Sequence, residues 1–477
     1  MKTKLLHRNI AGKMQYSKIN LCLIIILCFS LQTHLFSQTY TDAEELEDAV
    51  NGSTNGGTFV VKNGSYNDFE ATFEKMATEA NPILVKAETV GGVTLTGGSS
   101  FRFKKSAYIT LEGFIFDGTG NSSLIKFEGC NNIRITRNVF ELAATSSVKW
   151  VYIGGVYNDN TIPFQFPSHN NRIDHNIFQN KNTPGHYITI DGTSDTNDVG
   201  YQSQNDRIDH NYFKDNSPRA VNEQESIRIG WSEMSQSSGY TTVEFNLFEN
   251  CDGDPEIVSV KSSDNIVRHN TFVGSYGTLS LRHGNRNRIE GNYFFGNGKA
   301  VGTSPDGATL YTGGIRVYGT DHMIINNYME GLTGTRWDAP ITLTMGDAID
   351  GQSTSLSKHF RAERVTIAYN TLVNNTHGIE IGYDNNDKYG KDLKDIIIAN
   401  NLVTGSENAM VEIVDTDNDQ GDNISWLNNL MYPTGSATVL AGATTTSFDA
   451  SEVKNENPNI VYNATDKVWR TTSTTPL

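Results

Sequence analysis

Four short segments set a cation within or at the end of an apolar, strand-like run: SIRIG around Arg228, IVSVKS around Lys261, LSLRHG around Arg282 and GIRVYG around Arg316. Strand alternation sends all four side chains to one face, away from the flanking Ile, Val and Leu. Lys261 and Arg282 are 21 residues apart, which would set them on neighbouring rungs of a repeat about 5 Å apart. A lysine can accept a proton when nearby positive charge favours its neutral amine, and a guanidinium can stabilise a developing oxyanion. Side by side they form a basic stripe that would grip a polyanion. Asp254 and Glu256 stand just upstream of Lys261, and Asn222 stands earlier, in NEQES. Carboxylate and amide oxygens of these types suit a hard cation such as calcium. The bland alternative makes the acids solvated turns and the arginines partners of Glu225 and Glu256 in ladder salt bridges.

The elements that must position these residues are written in a repeat. An apolar strand followed by Asn, one residue, then Phe or another apolar residue recurs ten times, at Asn138, Asn176, Asn211, Asn246, Asn270, Asn292, Asn327, Asn370, Asn401 and Asn429. The spacings run from 22 to 43 residues, the shortest reading as bare coils and the longer ones as coils with loop insertions. Strands of three to six residues without helical periodicity predict an all-β, single-stranded, right-handed parallel β-helix. Asn fits the turns because it tolerates left-handed backbone, and stacked amides can hydrogen-bond from coil to coil. His175, His210 and His269, each just before a repeat Asn, read as turn residues rather than a metal site. A solenoid must cover its ends. Thr41 and Glu44 in TDAEELEDAV form a candidate capping box for an N-terminal plug helix. The Thr-rich tail after about Thr434 is expected to close the other end.

Residues 1–37 read as a secretory signal, with Lys2, Lys4, Arg8, Lys13 and Lys18 before the short apolar run Leu21–Leu31. The expectation is a single domain over 38–477 in a secreted or periplasmic protein. The formal charge of −16 becomes about −21 without those five cations, which argues against nucleic acid or an anionic membrane as partner. Of four cysteines only Cys130 and Cys251 follow the signal, so a disulfide framework is excluded and two small buried hydrophobes are expected.

Beside the β-helical repeat, the ordered set NEQESIRIG, DPEIVSVKS and LRHG resembles polysaccharide lyase family 6, which includes alginate lyases and chondroitinase B. The resemblance spans the mature chain. It implies calcium-assisted β-elimination on a uronate polysaccharide, with alginate first and dermatan sulfate second as substrate. Carried onto this sequence, it implies calcium ligands at Asn222, Asp254 and Glu256, a Brønsted base at Lys261 and a Brønsted acid at Arg282. Substrate contacts are implied at His283 and Arg316, and expected also at Arg228 and Tyr318. Asp254 stands where the family usually carries Glu, a carboxylate one methylene longer. Two other readings compete: a β-helical glycoside hydrolase using Asp254 and Glu256 as its carboxylate pair, and a non-catalytic glycan-binding solenoid.

Overall fold

The computed structural model describes residues 38–475 apart from 121–122, 143–146, 156–166, 195–199, 217–221, 299, 416, 418 and 443–446. The expected signal segment therefore lies outside the described residues. Three long parallel sheets dominate. A 14-stranded sheet runs from Thr39–Tyr40 to Asp422–Leu427, a 13-stranded sheet from Glu70–Phe73 to Leu440–Ala441, and a second 14-stranded sheet from Gly64–Asn67 to Val453–Lys454. The chain visits the three in turn and pairs each strand with its counterpart one coil later, as in Arg172↔Arg207 and Ile173↔Ile208. This is a right-handed parallel β-helix, the expected fold. Its core is a continuous column of Ile, Val, Leu and Phe, and successive coils stack Phe116, Phe140, Phe178, Phe213, Phe248, Phe272 and Phe294 with ring centroids 4.5–5.0 Å apart.

All ten repeat asparagines form one buried ladder. From Asn176 onward each side-chain oxygen accepts from the backbone N–H and the amide of the Asn one coil earlier, as at Asn246→Asn270 (3.0 Å) and Asn270→Asn292 (3.0 Å), while Asn138 starts the ladder by accepting from the Phe114 N–H. The left-handed conformation belongs to the residue before each Asn rather than to the Asn itself: His175, His210, Phe245, His269 and Tyr369 have φ between 54° and 59°. Asn is selected here because its amide both accepts and donates within a buried turn. The three histidines are turn residues, stacked on one another and on Phe245 with centroids 5.1–5.2 Å apart.

A second polar ladder escaped the sequence reading. Asn171 donates from its backbone N–H to Asp206 (2.9 Å), and farther along Thr241, Asn265 and Asn287 pass the pattern to His322. Asp206 is 1 % exposed, and burial raises its carboxyl from the ordinary 3.8 to about 6 despite help from Ser203 and Asn171. A pKa raised by folding stabilises the folded chain relative to the unfolded one below pH 3.8, and that advantage is lost as pH rises toward 6. Asp206→Asn, which keeps the acceptor and removes the charge, should therefore stabilise the protein by about 2–3 kcal/mol at pH 7. The gain should vanish near pH 3.5, as checked by urea unfolding at the two pH values.

The N-terminal plug is α1 (Ala43–Gly52), which buries Leu46 and Val50. Its N-cap is Asp42, whose carboxylate accepts from the N–H groups of Glu44 and Glu45. The expected Thr41–Glu44 box is thus displaced by one residue, because an Asp oxygen reaches both free N–H groups of the first turn. At the far end the tail supplies two further rungs and then an antiparallel hairpin, Val461–Asn463 with Val468–Arg470. The hairpin folds back so that the Trp469 N–H donates to the Tyr328 hydroxyl at 3.0 Å. Cys130 and Cys251 are free and buried, as expected, and burial pushes the Cys130 thiol up to about 12.

Candidate active site

Seven successive strands of the 13-stranded sheet frame the site, β1 (Ile227–Ile229), β2 (Glu256–Val260), β3 (Gly277–Leu281), β4 (Thr312–Val317), β5 (Ile341–Thr344), β6 (Ile379–Tyr383) and β7 (Val411–Ile413), and the four cations lie on or just after the first four. Register places Arg228, Ser259, Ser280 and Arg316 in one outward column. Lys261 and Arg282 follow the paired residues Val260 and Leu281, so they start a second column two residues farther along. The single basic stripe expected from sequence is therefore two adjacent columns. Between the cations of that column the hydroxyls of Ser259 and Ser280 both donate to Glu256.

The columns border a cleft of about 460 Å³ in which Asn222, Asp254, Glu256, Lys261, Arg282, His283, Arg316 and Tyr318 all have surface. Arg228 is not among its lining residues. Its guanidinium lies against Asp191 at 3.0 and 3.2 Å in a buried ion pair, set back from the lining of this cleft.

Glu256 reaches the cleft through a register shift between Glu256 and Val258. With Ser259 and Lys261 facing out, plain alternation would turn Glu256 into the core. Instead Ile257 and Val258 both join the core, and the bulge re-aims Glu256 outward. There it accepts from Arg316 (2.5 Å) and from the Ser259 hydroxyl, with Arg282 Nε at 3.4 Å. Burial acts to raise its carboxyl, but the charges of Arg316, Lys261 and Arg282 outweigh this and hold it below the usual range. The ladder salt bridge weighed from sequence is present at Glu256, within the cleft.

Glu225 is the principal residue that sequence reasoning missed as part of the site. It lies 3.5 Å from Lys261 Nζ and 2.9 Å from His186 Nε2. Although buried, it is kept ionised by His186 and Lys261. It thereby fixes the lysine head at the edge of the cleft. Arg282 lies over the Tyr318 ring at 5.5 Å and Arg316 at 5.6 Å, with Trp337 5.4 Å from Arg316. Arg282 Nη1 is buried without a hydrogen-bond partner among the described residues, so a donor in this cleft awaits an acceptor. His283 contacts Ser232 (3.2 Å), and burial, with Arg282 and Lys261 next to it, keeps its ring neutral.

The opposite wall comes from later coils: Ser357, His359, Tyr383, Asn385 and Tyr389. His359 packs against both Tyr318 and Tyr389 at 5.2 and 5.0 Å, and those two rings also meet each other at 6.0 Å; burial, with Arg282, lowers the imidazole to about 4. One sequence signal pointed here. Ser357 and His359 fall in the 43-residue interval between Asn327 and Asn370, the longest in the repeat and so the largest insertion.

The oxygen set suits a hard cation. Asn222 and Asp254 share the cleft with Glu256, and Asp254 is 4 % exposed. Asp254 has no ion-pair partner among the described residues; its oxygens accept only from the N–H groups of Glu256 (3.0 Å) and Gln224 (3.3 Å). Burial, reinforced by the charges of Glu225 and Glu256, pushes its carboxyl to about 8. A buried carboxylate crowded by two others is relieved by a bound cation.

Comparison with known proteins agrees with this architecture. Residues 40–471 match the family model described as Chondroitinase B. No curated protein sequence matches the chain. Among solved structures, the alginate lyase AlyGC, of the PL6 family, superposes with a TM-score of 0.74 at 28% identity, covering 91% of this chain and 55% of that one. This chain thus spans about half the length of that protein. A mannuronic acid specific polysaccharide family 6 lyase from human gut microbiota superposes with a TM-score of 0.67 at 25% identity, covering 88% of this chain and 90% of that one. The fold alone is also shared with a PL6 alginate lyase in complex with a trisaccharide, at a TM-score of 0.68 and 22% identity, over 90% of this chain and 88% of that one. With the family match running from the first coil to the closing hairpin, the chain belongs to the chondroitinase B family, polysaccharide lyase family 6.

Proposed function

We propose that this protein is an alginate lyase that cleaves 1,4-linked uronate chains by β-elimination and leaves a 4,5-unsaturated sugar at each new non-reducing end. The observation that carries the reading is the convergence of Lys261 and Arg282, from neighbouring coils, on one cleft whose floor is the oxygen set Asn222, Asp254 and Glu256. One relative described as an alginate lyase and another described as a mannuronic acid specific polysaccharide family 6 lyase favour alginate. The family model's own name favours dermatan sulfate as the second reading. The cationic N-terminal segment supports export, so that the enzyme would meet its polymer outside the cytoplasm.

The C5 proton of a uronate is weakly acidic because the adjacent carboxylate is already negative. Asn222, Asp254 and Glu256 would hold a calcium ion, which when bound supplies charge neutralisation at that carboxylate. Arg316 adds a fixed positive charge on the same floor. Lys261, held at the cleft edge by Glu225, takes the C5 proton. The C5–H electrons form the C4–C5 double bond while the C4–O4 bond breaks. The O4 leaving group is met by Arg282, whose unpaired Nη1 can donate to the developing oxyanion and relay a proton from water. The aromatic wall of Tyr318, His359 and Tyr389 gives the sugar ring an apolar face.

The test is ultraviolet detection of the new double bond on poly-mannuronate, poly-guluronate, mixed alginate and dermatan sulfate, each with and without chelator. We expect absorbance to grow on an alginate substrate and to fall at least about tenfold after chelation. New reducing ends without absorbance would instead indicate hydrolysis. Binding without either product would leave a glycan-binding solenoid. Asp254→Asn should reproduce the loss on chelation, and added calcium should then restore little.

A further inference from the structure

Beyond Arg316 the same outward column turns acidic. Arg316 is in register with Thr342 on β5, Thr342 with Glu380 on β6, and Glu380 with Glu412 on β7. Like charges directly opposite on adjacent strands repel, yet here they close around an imidazole. His377 Nδ1 lies 3.3 Å from Glu380 Oε1 and 3.3 Å from Glu412 Oε2. One ligand atom from each of the three falls within 4.8 Å of the others.

Two further observations separate this cluster from an ordinary ion pair. The first is charge. The Glu380 side chain is fully buried, and Asp338, 4 % exposed, acts electrostatically on both Glu380 and His377. The cations near the cluster are shared with other acids: the Arg336 guanidinium, which acts on Glu412, lies 3.5 Å from Asp384, and Arg316, which acts on Asp338, is held by Glu256. The second is preorganisation. The Thr335 hydroxyl donates to Glu380 Oε1 (2.8 Å) and the Arg336 N–H to Oε2 (2.6 Å). These bonds orient the carboxylate and leave each oxygen a further lone pair, as outer-shell partners of metal ligands do. Donor atoms around a tetrahedral zinc stand about 3.3 Å apart, given bonds of about 2.0–2.1 Å, and the imidazole spacings match that edge.

We propose that His377, Glu380 and Glu412 form a second metal site, for a divalent transition ion of the zinc type, with a fourth position left to water. An imidazole nitrogen among the donors selects such an ion over calcium or magnesium. The site is separate from the Asn222–Asp254–Glu256 set, because its column lies two rungs past Arg316, about 10 Å along the sheet. Asn408, exposed, has its amide nitrogen 3.3 Å from His377 Nε2. A metal at Nδ1 requires the ring proton on Nε2, so the Asn408 amide, whose nitrogen also donates to the Thr376 carbonyl at 3.1 Å, must move aside when the ion binds. A bound cation would cancel the repulsion between β6 and β7 and tie together two late coils.

The test loads the full-length protein with Zn²⁺ alone, and separately with Co²⁺, after chelator treatment and dialysis. We expect one zinc equivalent in the parent and in Asp254→Asn, and the intense visible absorption of tetrahedral cobalt in both. His377→Ala and the isosteric Glu412→Gln should weaken zinc by more than the about 10–100-fold that losing an outer-shell partner costs, and abolish the cobalt band. Zinc should also raise the Tm of the parent and leave that of Glu412→Gln unmoved. Absence of saturable zinc binding in the parent would overturn the proposal. So would zinc lost from Asp254→Asn but retained by folded Glu412→Gln, since that would assign the ion to the catalytic cleft. Activity on any polymer plays no part in the readout, so failure here is distinct from failure of the lyase reading.

Discussion

Lys261→Ala should lower kcat by about 10²–10⁴-fold, the range for loss of a positioned general base, while polymer binding measured by calorimetry changes little. The lysine head meets Glu225 at 3.5 Å on one side and the cleft on the other, so removing it deletes the proton acceptor and leaves the neighbouring cations Arg282 and Arg316 in place. The decisive variant is Lys261→Arg. Arginine keeps the positive charge and can still meet Glu225, but it does not surrender a proton in the accessible pH range. If Lys261 is the base, Lys261→Arg should be as slow as Lys261→Ala in forming the unsaturated product. If the residue only supplies charge for gripping a polyanion, Lys261→Arg should approach parent activity, and that result would remove Lys261 from the chemistry.

Arg282→Ala is expected to cost about 10²–10³-fold in kcat, the range for one donor to a developing oxyanion. Its Nη1 is buried with no partner among the described residues, while Nε stands 3.4 Å from Glu256. The guanidinium is thus anchored at one end and unsatisfied at the other, and Tyr318 stacked at 5.5 Å limits its swing. Glu256 keeps Arg316 at 2.5 Å after the substitution, so the floor of the cleft should survive, and thermal unfolding should shift little. Arg282→Lys should recover little activity, because an ammonium cannot hold Glu256 and reach the leaving oxygen with a planar fork. Full recovery by lysine would show that the position supplies charge without directional donation.

The fold was legible because its determinants are local and repeated. Asn138 through Asn429 announce the coil boundaries, and every one of them sits in the buried amide ladder. The second ladder was missed because its members are of mixed type: Asn171, Asp206, Thr241, Asn265, Asn287 and His322 share a position without sharing a residue. The N-cap was misplaced by one because Thr41 and Asp42 are both capping types, and only the backbone decides which precedes the first helical turn.

For the site, sequence by itself determined that Lys261 and Arg282 occupy adjacent rungs, because coil length alone sets that spacing, and that an oxygen-rich set stands near them. Tertiary structure decided the rest. A bulge, invisible in residue types, turned Glu256 from the core phase to the cleft. Asp191, 37 residues before Arg228, came to pair with that arginine, and Glu225 to hold Lys261. Ser357, His359 and Tyr389 were carried by an insertion and by later coils to face strands about 100 residues earlier in the chain. The physical reason is range: periodicity fixes neighbours one coil apart, whereas ion pairing, bulges and folded-back loops are settled by which groups meet across coils once the chain has closed on itself.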